Sequence, residues 1–167
     1  MSLSMYTASV PVFQRMLGNL EAILAKAQTH AEAHGIDPLV LTSARLFPDM
    51  LPLTSQVYIA ADMCKGAAAR LSGTEAPAFA DTEKTLVELT DRVARTRAYL
   101  AGFTAEQIDG SEKRPIELKT RVRTFHFVGD EYLLHFVLPN LHFHIATCYG
   151  LLRHNGVPLG KGDFLGS

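Results

Sequence analysis

Four stretches of the chain place apolar residues three and four positions apart, a spacing that gathers them on one face of a helix. The stretches run from Ser4 to His34, from Leu51 to Leu71, from Thr82 to Leu100 and from Asp130 to Arg153. The inward positions of the first three are Val10, Phe13, Leu17, Leu20, Leu24, Ala27 and Ala31; Leu53, Val57, Ala60, Cys64, Ala67 and Leu71; and Leu86, Leu89, Val93 and Leu100. Four long amphipathic helices of this kind predict a four-helix bundle.

Glycines, prolines and capping residues mark where these helices begin and end. Gly35, Gly73 and Gly102 follow the first three helices, as expected of residues that terminate a helix. Asp81 is a favourable N-cap for the third helix. Pro139 predicts a kink in the last helix, because proline removes an amide donor and clashes with the preceding turn.

Between the third and fourth helices the pattern changes its period. Thr104 and Gln107 have capping-box spacing, which predicts a short helical turn. The segment "PIELKTRVRTFHFVG" then alternates apolar and polar residues, which predicts one or two short strands. The segments "IDPLVLTSARLFPDMLP" and "HNGVPLGKGDFLGS" are predicted to be a loop and an extended exit. We therefore expect one all-α domain over residues 1–167, with a small extended or β insert and either an up-down or a crossover topology.

Charge and cysteine usage narrow the functional class. The formal net charge is −1, so there is no basic surplus that indicates nucleic acid or an anionic membrane as a partner. One local basic run, interpreted as charged protection of a strand edge, contains Lys113, Arg114, Lys119, Arg121 and Arg123. Cys64 and Cys148 lack a CxxC partner and are predicted to be buried free thiols. Without a leader pattern or a run of about 18 apolar residues, we expect a cytoplasmic protein.

The last predicted helix carries three histidines, His135, His142 and His144. Two imidazoles on one helix share a metal most readily at i, i+4 spacing, and no pair here has it. His142 and His144 point about 200° apart on a helix. His142 is predicted to be exposed or at an interface, and His144 to face inward with Leu141, Ile145 and Cys148. Three interpretations of His144 remain open: a hydrogen-bonded core histidine, a polar pocket residue, or a metal ligand.

Three segments carry a resemblance to a known family: "FPDMLPLTSQVYIAADMCKGAAARLSG", "FADTEKTLVELTDRVARTRAYL" and "LPNLHFHIATCYGLLRHNGVPLGKGDFLG". They resemble the bacterial domain-of-unknown-function family 1993, which is similar to the DinB/YfiT-like superfamily of predicted metalloenzymes. The resemblance implies a four-helix bundle that is commonly a homodimer. Some members of that superfamily are hydrolases or thiol transferases.

The superfamily pattern has one histidine on the second helix and an HxxxH pair on the last, shortly before an "LR..G" exit. Here "LLRHNG" supplies the exit, and the three ligand positions fall at Gln56, Asn140 and His144. Only the last of these is a histidine. The resemblance therefore implies a degenerate metal site with no cofactor expected, and zinc or nickel bound through His144 is the alternative.

Three functional hypotheses follow from these observations. The first is a homodimeric bundle that binds a small molecule in a polar pocket made by Gln56, Asn140 and His144, with Asp62 and Tyr149 as further candidates. The second is a metal-dependent hydrolase or thiol transferase that uses His144. The third is a structural dimerisation module in which the polar residues only fix the helix register.

Overall fold

The structure is a computed structural model that describes residues 3–120 and 122–166. Its first helices are α1 (Met5–Ala8), α2 (Val10–His34), α3 (Pro38–Thr42), α4 (Leu53–Ser72), α5 (Leu86–Leu100) and α6 (Ala105–Ile108). A hairpin follows, made of β1 (Pro115–Lys119) and β2 (Thr124–Val128). The remaining elements are α7 (Gly129–Glu131), a π-helical segment (Tyr132–Val137), α8 (Leu138–His154) and α9 (Lys161–Leu165).

Four long helical rods form the bundle: α2, α4, α5, and the last rod made of α7, the π-helical segment and α8. The rod α2 packs mainly against α5, and α4 lies between α5 and α8. Helix α5, the third rod in sequence, therefore lies between α2 and α4. This order corresponds to the crossover topology and not to the up-down topology. All the inward positions predicted for the first three helices are buried. The predicted all-α bundle with a small β insert before the last helix is confirmed, and none of the described helices is long and apolar enough to cross a bilayer.

The first predicted helix is divided at Ser9, where the backbone leaves the helical region (φ −119°, ψ −83°). Pro11 explains the break, because its ring cannot follow an uninterrupted helical turn but is tolerated in the first turn of a new helix. The Ser9 hydroxyl donates to the carbonyl of Met5 at 2.6 Å and so satisfies a buried polar group at the break. The predicted single helix from Ser4 to His34 is thus two helices, and Gly35 ends the second with φ 62°.

The third long helix begins at Leu86, and the predicted start at Thr82 with an Asp81 cap is wrong. Thr85 and Glu88 form a capping box: the Glu88 amide donates to the Thr85 hydroxyl at 3.2 Å, and the Thr85 amide donates to the Glu88 carboxylate at 2.9 Å. This reciprocal pair satisfies two amides that the helix leaves free. Asp81 instead pairs with Arg92 on the inner face of α5.

Immediately before Pro139, where a kink was predicted, the last rod departs from α-helical geometry and forms the π-helical segment. The amide of Leu138 donates to the carbonyl of Leu133, five residues back. A wider turn of this kind relieves the contact that a proline ring makes with an α-helical turn.

The β insert and the short helical turn predicted between the third and fourth helices are both present. The two strands are antiparallel, with Ile116 opposite Phe127 and Leu118 opposite Phe125. Helix α6 is the turn predicted after Thr104, whose amide donates to the Gln107 side chain at 2.9 Å.

The basic run around the hairpin makes local contacts. Lys113 pairs with Asp130 at 2.8 Å, Lys119 pairs with Glu117 at 2.9 Å, and Arg123 lies over the ring of Phe125. Arg121 lies outside the described residues.

Two segments predicted to lack helix contain short ones. The loop after α2 holds α3, and the predicted extended exit holds α9, which packs on α2. Lys26 pairs with Asp163 at 2.6 Å, and the Asn19 amide donates to the carbonyl of Phe164 at 2.9 Å. These contacts join residues far apart in sequence and fix the end of the chain against the bundle. They leave no periodic pattern in the C-terminal segment, so the sequence did not predict α9.

The capping box gives a direct test of the start of α5. We expect Thr85→Ala to lower the free energy of unfolding by about 1 kcal/mol, because it removes the side-chain partner of the Glu88 amide. Thr82→Ala, at the exposed position first predicted to begin the helix, is the control and is expected to change the free energy of unfolding by less than about 0.5 kcal/mol. Urea denaturation measures both, and equal losses would contradict the observed helix start.

Candidate functional site

Gln56 and His144 meet between the first turn of α4 and the middle of α8. The His144 Nδ1 and Gln56 Oε1 atoms are 2.7 Å apart, and both side chains are buried. The Gln56 Nε2 atom also donates to the backbone carbonyl of Leu51 at 3.0 Å. The inward orientation predicted for His144 is correct, as is the exposure predicted for His142.

These two bonds determine the protonation of the imidazole. Because the carbonyl of Leu51 can only accept, it fixes the Gln56 amide nitrogen towards itself and the amide oxygen towards His144. His144 must therefore donate from Nδ1, so in the neutral ring Nε2 is the nitrogen that carries the lone pair. Burial lowers the pKa of His144, which favours the same neutral form. No described residue forms a hydrogen bond with Nε2.

Asn140 lies one helical turn before His144 on the same rod. Its Nδ2 atom donates to the carbonyl of Phe136 at 2.6 Å, so its amide nitrogen turns back onto its own helix. The structure thus joins two of the three polar residues that the resemblance aligned, Gln56 and His144, and ties the third to its own backbone.

Asp62 and Tyr149 lie in other environments. Asp62 accepts from Lys65 at 2.8 Å and from Arg92 at 3.2 Å. The ring of Tyr149 packs edge-on against Phe164 of α9 and lines a shallow cavity of 190 Å³ beside that helix. None of the cavities found in the described part of the chain brings the five candidate residues together.

Both cysteines are buried free thiols, as predicted. Burial raises the pKa of Cys64 and of Cys148, so neither thiol forms a thiolate readily. Their surroundings suit packing and do not suit nucleophilic chemistry.

A second polar cluster surrounds Arg92, whose side chain is fully buried on the inner face of α5. Its Nη2 donates to Asp62 at 3.2 Å and to Asp81 at 2.9 Å, and its Nη1 donates to Glu83 at 3.2 Å. Arg95 adds a second cation to Glu83 at 3.0 Å. Three carboxylates from two segments of the chain thus compensate one buried guanidinium.

A cleft of 300 Å³ adjoins this cluster, between α4, the segment before α5, the hairpin and the last rod. Aromatic and apolar side chains form most of its walls, and acidic and basic groups lie at its edge. The lining residues are Tyr58, Ile59, Asp62, Met63, Arg70, Asp81, Leu118, Thr120, Tyr132 and Phe136.

Asp62 was predicted from the sequence as a candidate pocket residue, whereas the Arg92 cluster and the cleft were not predicted. One signal was present: Arg92 lies three residues after Leu89 and four before Thr96, on the buried face of the helix. A charged residue at such a position requires partners of opposite charge, and Asp81 and Glu83 lie only eleven and nine residues earlier in the sequence. Their assignment to the helix start concealed that role.

Comparison with known proteins places the chain in a family. The model of a family described as a domain of unknown function (DUF1993) matches residues 5–165. The chain belongs to this family. The crystal structure of a DinB family member from Shewanella denitrificans is similar to this DUF1993 protein, with 41% sequence identity and a TM-score of 0.88. The similarity covers 97% of this chain and 92% of the other, whereas no curated protein matches.

The superfamily pattern has its metal ligands at the positions of Gln56, Asn140 and His144, and the side chains present here fit a metal poorly. The Gln56 oxygen already accepts from His144, and the amide oxygen of Asn140 is a poor replacement for imidazole at a transition metal. Across residues 3–120 and 122–166, no group of three or more histidine, cysteine, aspartate or glutamate side chains could hold a metal ion. The residues at these three positions therefore do not form the metal site of the superfamily pattern.

The lowered pKa of His144 predicts a pH dependence of stability. Below about pH 6.5, the ordinary histidine value, the unfolded chain takes up a proton that folded His144 resists. The free energy of unfolding contributed by His144 is therefore present at pH 7.5 and declines as the pH falls below 6.5. We expect His144→Gln to remove this part of the decline, so its difference from wild type shrinks between pH 7.5 and 5.5.

Urea denaturation at pH 7.5, 6.5 and 5.5 measures this difference. His142→Gln changes an exposed histidine two positions away and is the matched control, expected to follow the wild-type profile. Parallel profiles for wild type and His144→Gln would show that burial does not hold the imidazole neutral.

Proposed function

We propose that this DUF1993 protein binds a small molecule through the Nε2 atom of His144. The observation that supports the proposal is the 2.7 Å contact between His144 Nδ1 and Gln56 Oε1, with the Gln56 amide nitrogen tied to Leu51. This arrangement orients a neutral imidazole before any ligand arrives, so little ordering accompanies binding.

The surroundings of His144 define the class of ligand. The free lone pair of Nε2 requires a ligand that donates from an O–H or N–H group. The ring of Phe143, which is 55% exposed, lies edge-on to His144 at 5.2 Å between centroids. Leu51, whose carbonyl holds Gln56, is also exposed. The expected ligand therefore carries a polar donor for Nε2 and an apolar part that contacts Phe143 and Leu51.

The same nitrogen supports catalysis as an extension of binding. A neutral imidazole that stays unprotonated at pH 7 is able to accept a proton from a bound hydroxyl, thiol or water. The alternative function, a metal-dependent hydrolase or thiol transferase, uses this nitrogen as its only histidine ligand. For thiol transfer the thiol would come from a substrate, because Cys64 and Cys148 are buried with raised pKa values.

The contact also supports the structural alternative. It joins the first turn of α4 to the middle of α8, and buried polar pairs of this kind can fix the register of helices. In that case His144 would contribute to stability and subunit packing without contacting a ligand.

A ligand screen distinguishes these functions. Wild type, His144→Gln and the exposed control His142→Gln are incubated with a library of small metabolites and analysed by native mass spectrometry and calorimetry. We expect at least one hydroxyl- or amine-bearing compound to bind wild type and His142→Gln equally. We expect His144→Gln to bind it at least tenfold more weakly, a loss of about 1.4 kcal/mol.

Equal binding to His144→Gln, or no ligand in the library, would contradict the proposal and favour the structural role. Elemental analysis of the same preparations adds a separate outcome. About one equivalent of zinc or nickel in wild type, lost in His144→Gln, would replace the proposal with the metal-dependent alternative.

A cytoplasmic homodimer is part of the same proposal. The connector between α3 and α4 exposes Leu46, Phe47 and Leu51, and Phe143 is exposed on α8. A contiguous patch of exposed apolar side chains commonly marks a protein contact, and three of these four residues lie within six consecutive residues of one connector. A second copy of the chain would remove them from water.

Analytical ultracentrifugation tests the homodimer. We expect wild type to be dimeric at micromolar concentration and Phe47→Asp to dissociate at least tenfold more readily, because a carboxylate would be buried in the contact. Val87→Asp changes an exposed apolar residue of α5 and is the matched control, expected to remain dimeric. A monomeric wild type, or equal effects of both substitutions, would contradict this interface.

A further inference from the structure

We propose that the cleft beside Arg92 binds a small zwitterion of the amino-acid class, with its ammonium at Asp62 and Asp81 and its carboxylate at Arg70. This site is separate from His144. The cleft has a volume of 300 Å³, at the lower end of the range of about 300–1,000 Å³ for small-molecule sites. Acidic and basic side chains lie at the two ends of the cleft, and apolar side chains form the walls between these ends.

The basic end of the cleft is Arg70, which one contact holds in place. Its Nη1 donates to the hydroxyl of Tyr132 at 3.1 Å. No carboxylate of the described residues lies within salt-bridge distance of it. The remaining guanidinium donors suit a ligand carboxylate, which this planar group binds in a bidentate manner.

Gly66 determines where the Arg70 side chain lies. A Cβ atom at that position would be 2.5 Å from Arg70 Nη1, so the guanidinium rests over the backbone one turn before its own residue. Gly66 is itself four residues after Asp62, a rise of about 6 Å along α4. The basic group is therefore near the acidic end of the cleft but does not form a direct ion pair with it.

The acidic end consists of Asp62 and Asp81, which share the buried cation Arg92, and Asp62 also pairs with Lys65 at 2.8 Å. Asp62 Oδ1 and Asp81 Oδ1 contact the same Nη2 of Arg92 at 3.2 and 2.9 Å, so these two oxygens lie within 6.1 Å of each other. Their side chains are 44% and 58% exposed, whereas Arg92 is fully buried. Neither Oδ2 atom has a hydrogen-bond partner in the described part of the chain, so both are available to an ammonium.

The walls determine which molecules fit between these ends. Ile59, Met63, Leu118 and Phe136 supply apolar surface for a side group. The ring of Tyr58 is fixed because its hydroxyl donates to the carbonyl of Glu83, and it faces the Arg92 guanidinium.

The charges at the two ends favour a ligand that carries both signs, and Arg92 and Lys65 offset part of the charge on Asp62 and Asp81. A plain anion bound at Arg70 would meet two carboxylates, and a plain cation bound at those carboxylates would meet Arg70. Like charges at such separations are unfavourable, especially at a partly buried site. A molecule that carries an ammonium and a carboxylate a few bonds apart satisfies both ends, and its apolar side chain lies against the walls.

Calorimetry with matched ligands tests the proposal. The probes are the free L-amino acids, together with N-acetyl-L-phenylalanine, which lacks the ammonium, and L-phenylalaninamide, which lacks the carboxylate. The variants are Arg70→Gln and Asp81→Asn, with Arg153→Gln and Asp49→Asn as controls at exposed positions of other segments. Circular dichroism verifies the fold, and Arg70→Lys and Asp62→Asn replace any variant that does not fold.

We expect at least one apolar amino acid to bind wild type and both controls, and the matched derivatives to bind at least tenfold more weakly. Arg70→Gln should bind the free amino acid at least tenfold more weakly and should no longer distinguish it from its amide. Asp81→Asn should likewise lose discrimination against the N-acetyl derivative. His144→Gln should bind as wild type does.

Three results would overturn the proposal. The first is that no free amino acid binds wild type. The second is that the derivatives bind as tightly as the free amino acid. The third is that the cleft variants bind the amino acid as tightly as the control variants do.

Discussion

The burial of Arg92 is the constraint on which much of the molecule depends. A guanidinium with no exposed surface is tolerated only if carboxylates surround it, and those carboxylates come from α4 and from the segment before α5. Removing one partner of such a buried ion pair commonly costs about 3–5 kcal/mol, because a charge is left uncompensated. Arg92 therefore fixes a segment without regular structure against the bundle, and that segment forms one wall of the cleft.

Helix α4 carries the polar groups of both proposed sites on different faces. Gln56 faces α8, whereas Asp62, six residues later, faces Arg92 of α5. Six residues turn a helix by about 240° beyond one full rotation, so the two side chains point in different directions. A helix in the middle of the bundle, with neighbours on two sides, is the element able to serve two separate sites.

Sequence periodicity was sufficient for the four long helices and the hairpin, because burial repeats regularly along them. It failed at the starts of two helices, where the ring of Pro11 and the Thr85 capping box decide the boundary. The inward position of His144 followed from the same periodicity, whereas its alignment with Gln56 came from the resemblance. The Arg92 cluster was missed because Asp81 and Glu83 were assigned to the start of the third helix, and because the contact with Asp62, thirty residues away, leaves no local pattern.

The contact between Gln56 and His144 has the form of the hydrogen bond that orients a metal-bound histidine. A metal-bound histidine usually donates its other ring N–H to an oxygen, which fixes the ring and its tautomer. Here Gln56 provides that oxygen from a position where the superfamily pattern has a ligand, so the same side chain cannot turn its oxygen to a metal as well. The exchange keeps Nδ1 satisfied and Nε2 unprotonated. What this nitrogen then requires is a hydrogen-bond donor, and the proposed ligand follows from that requirement.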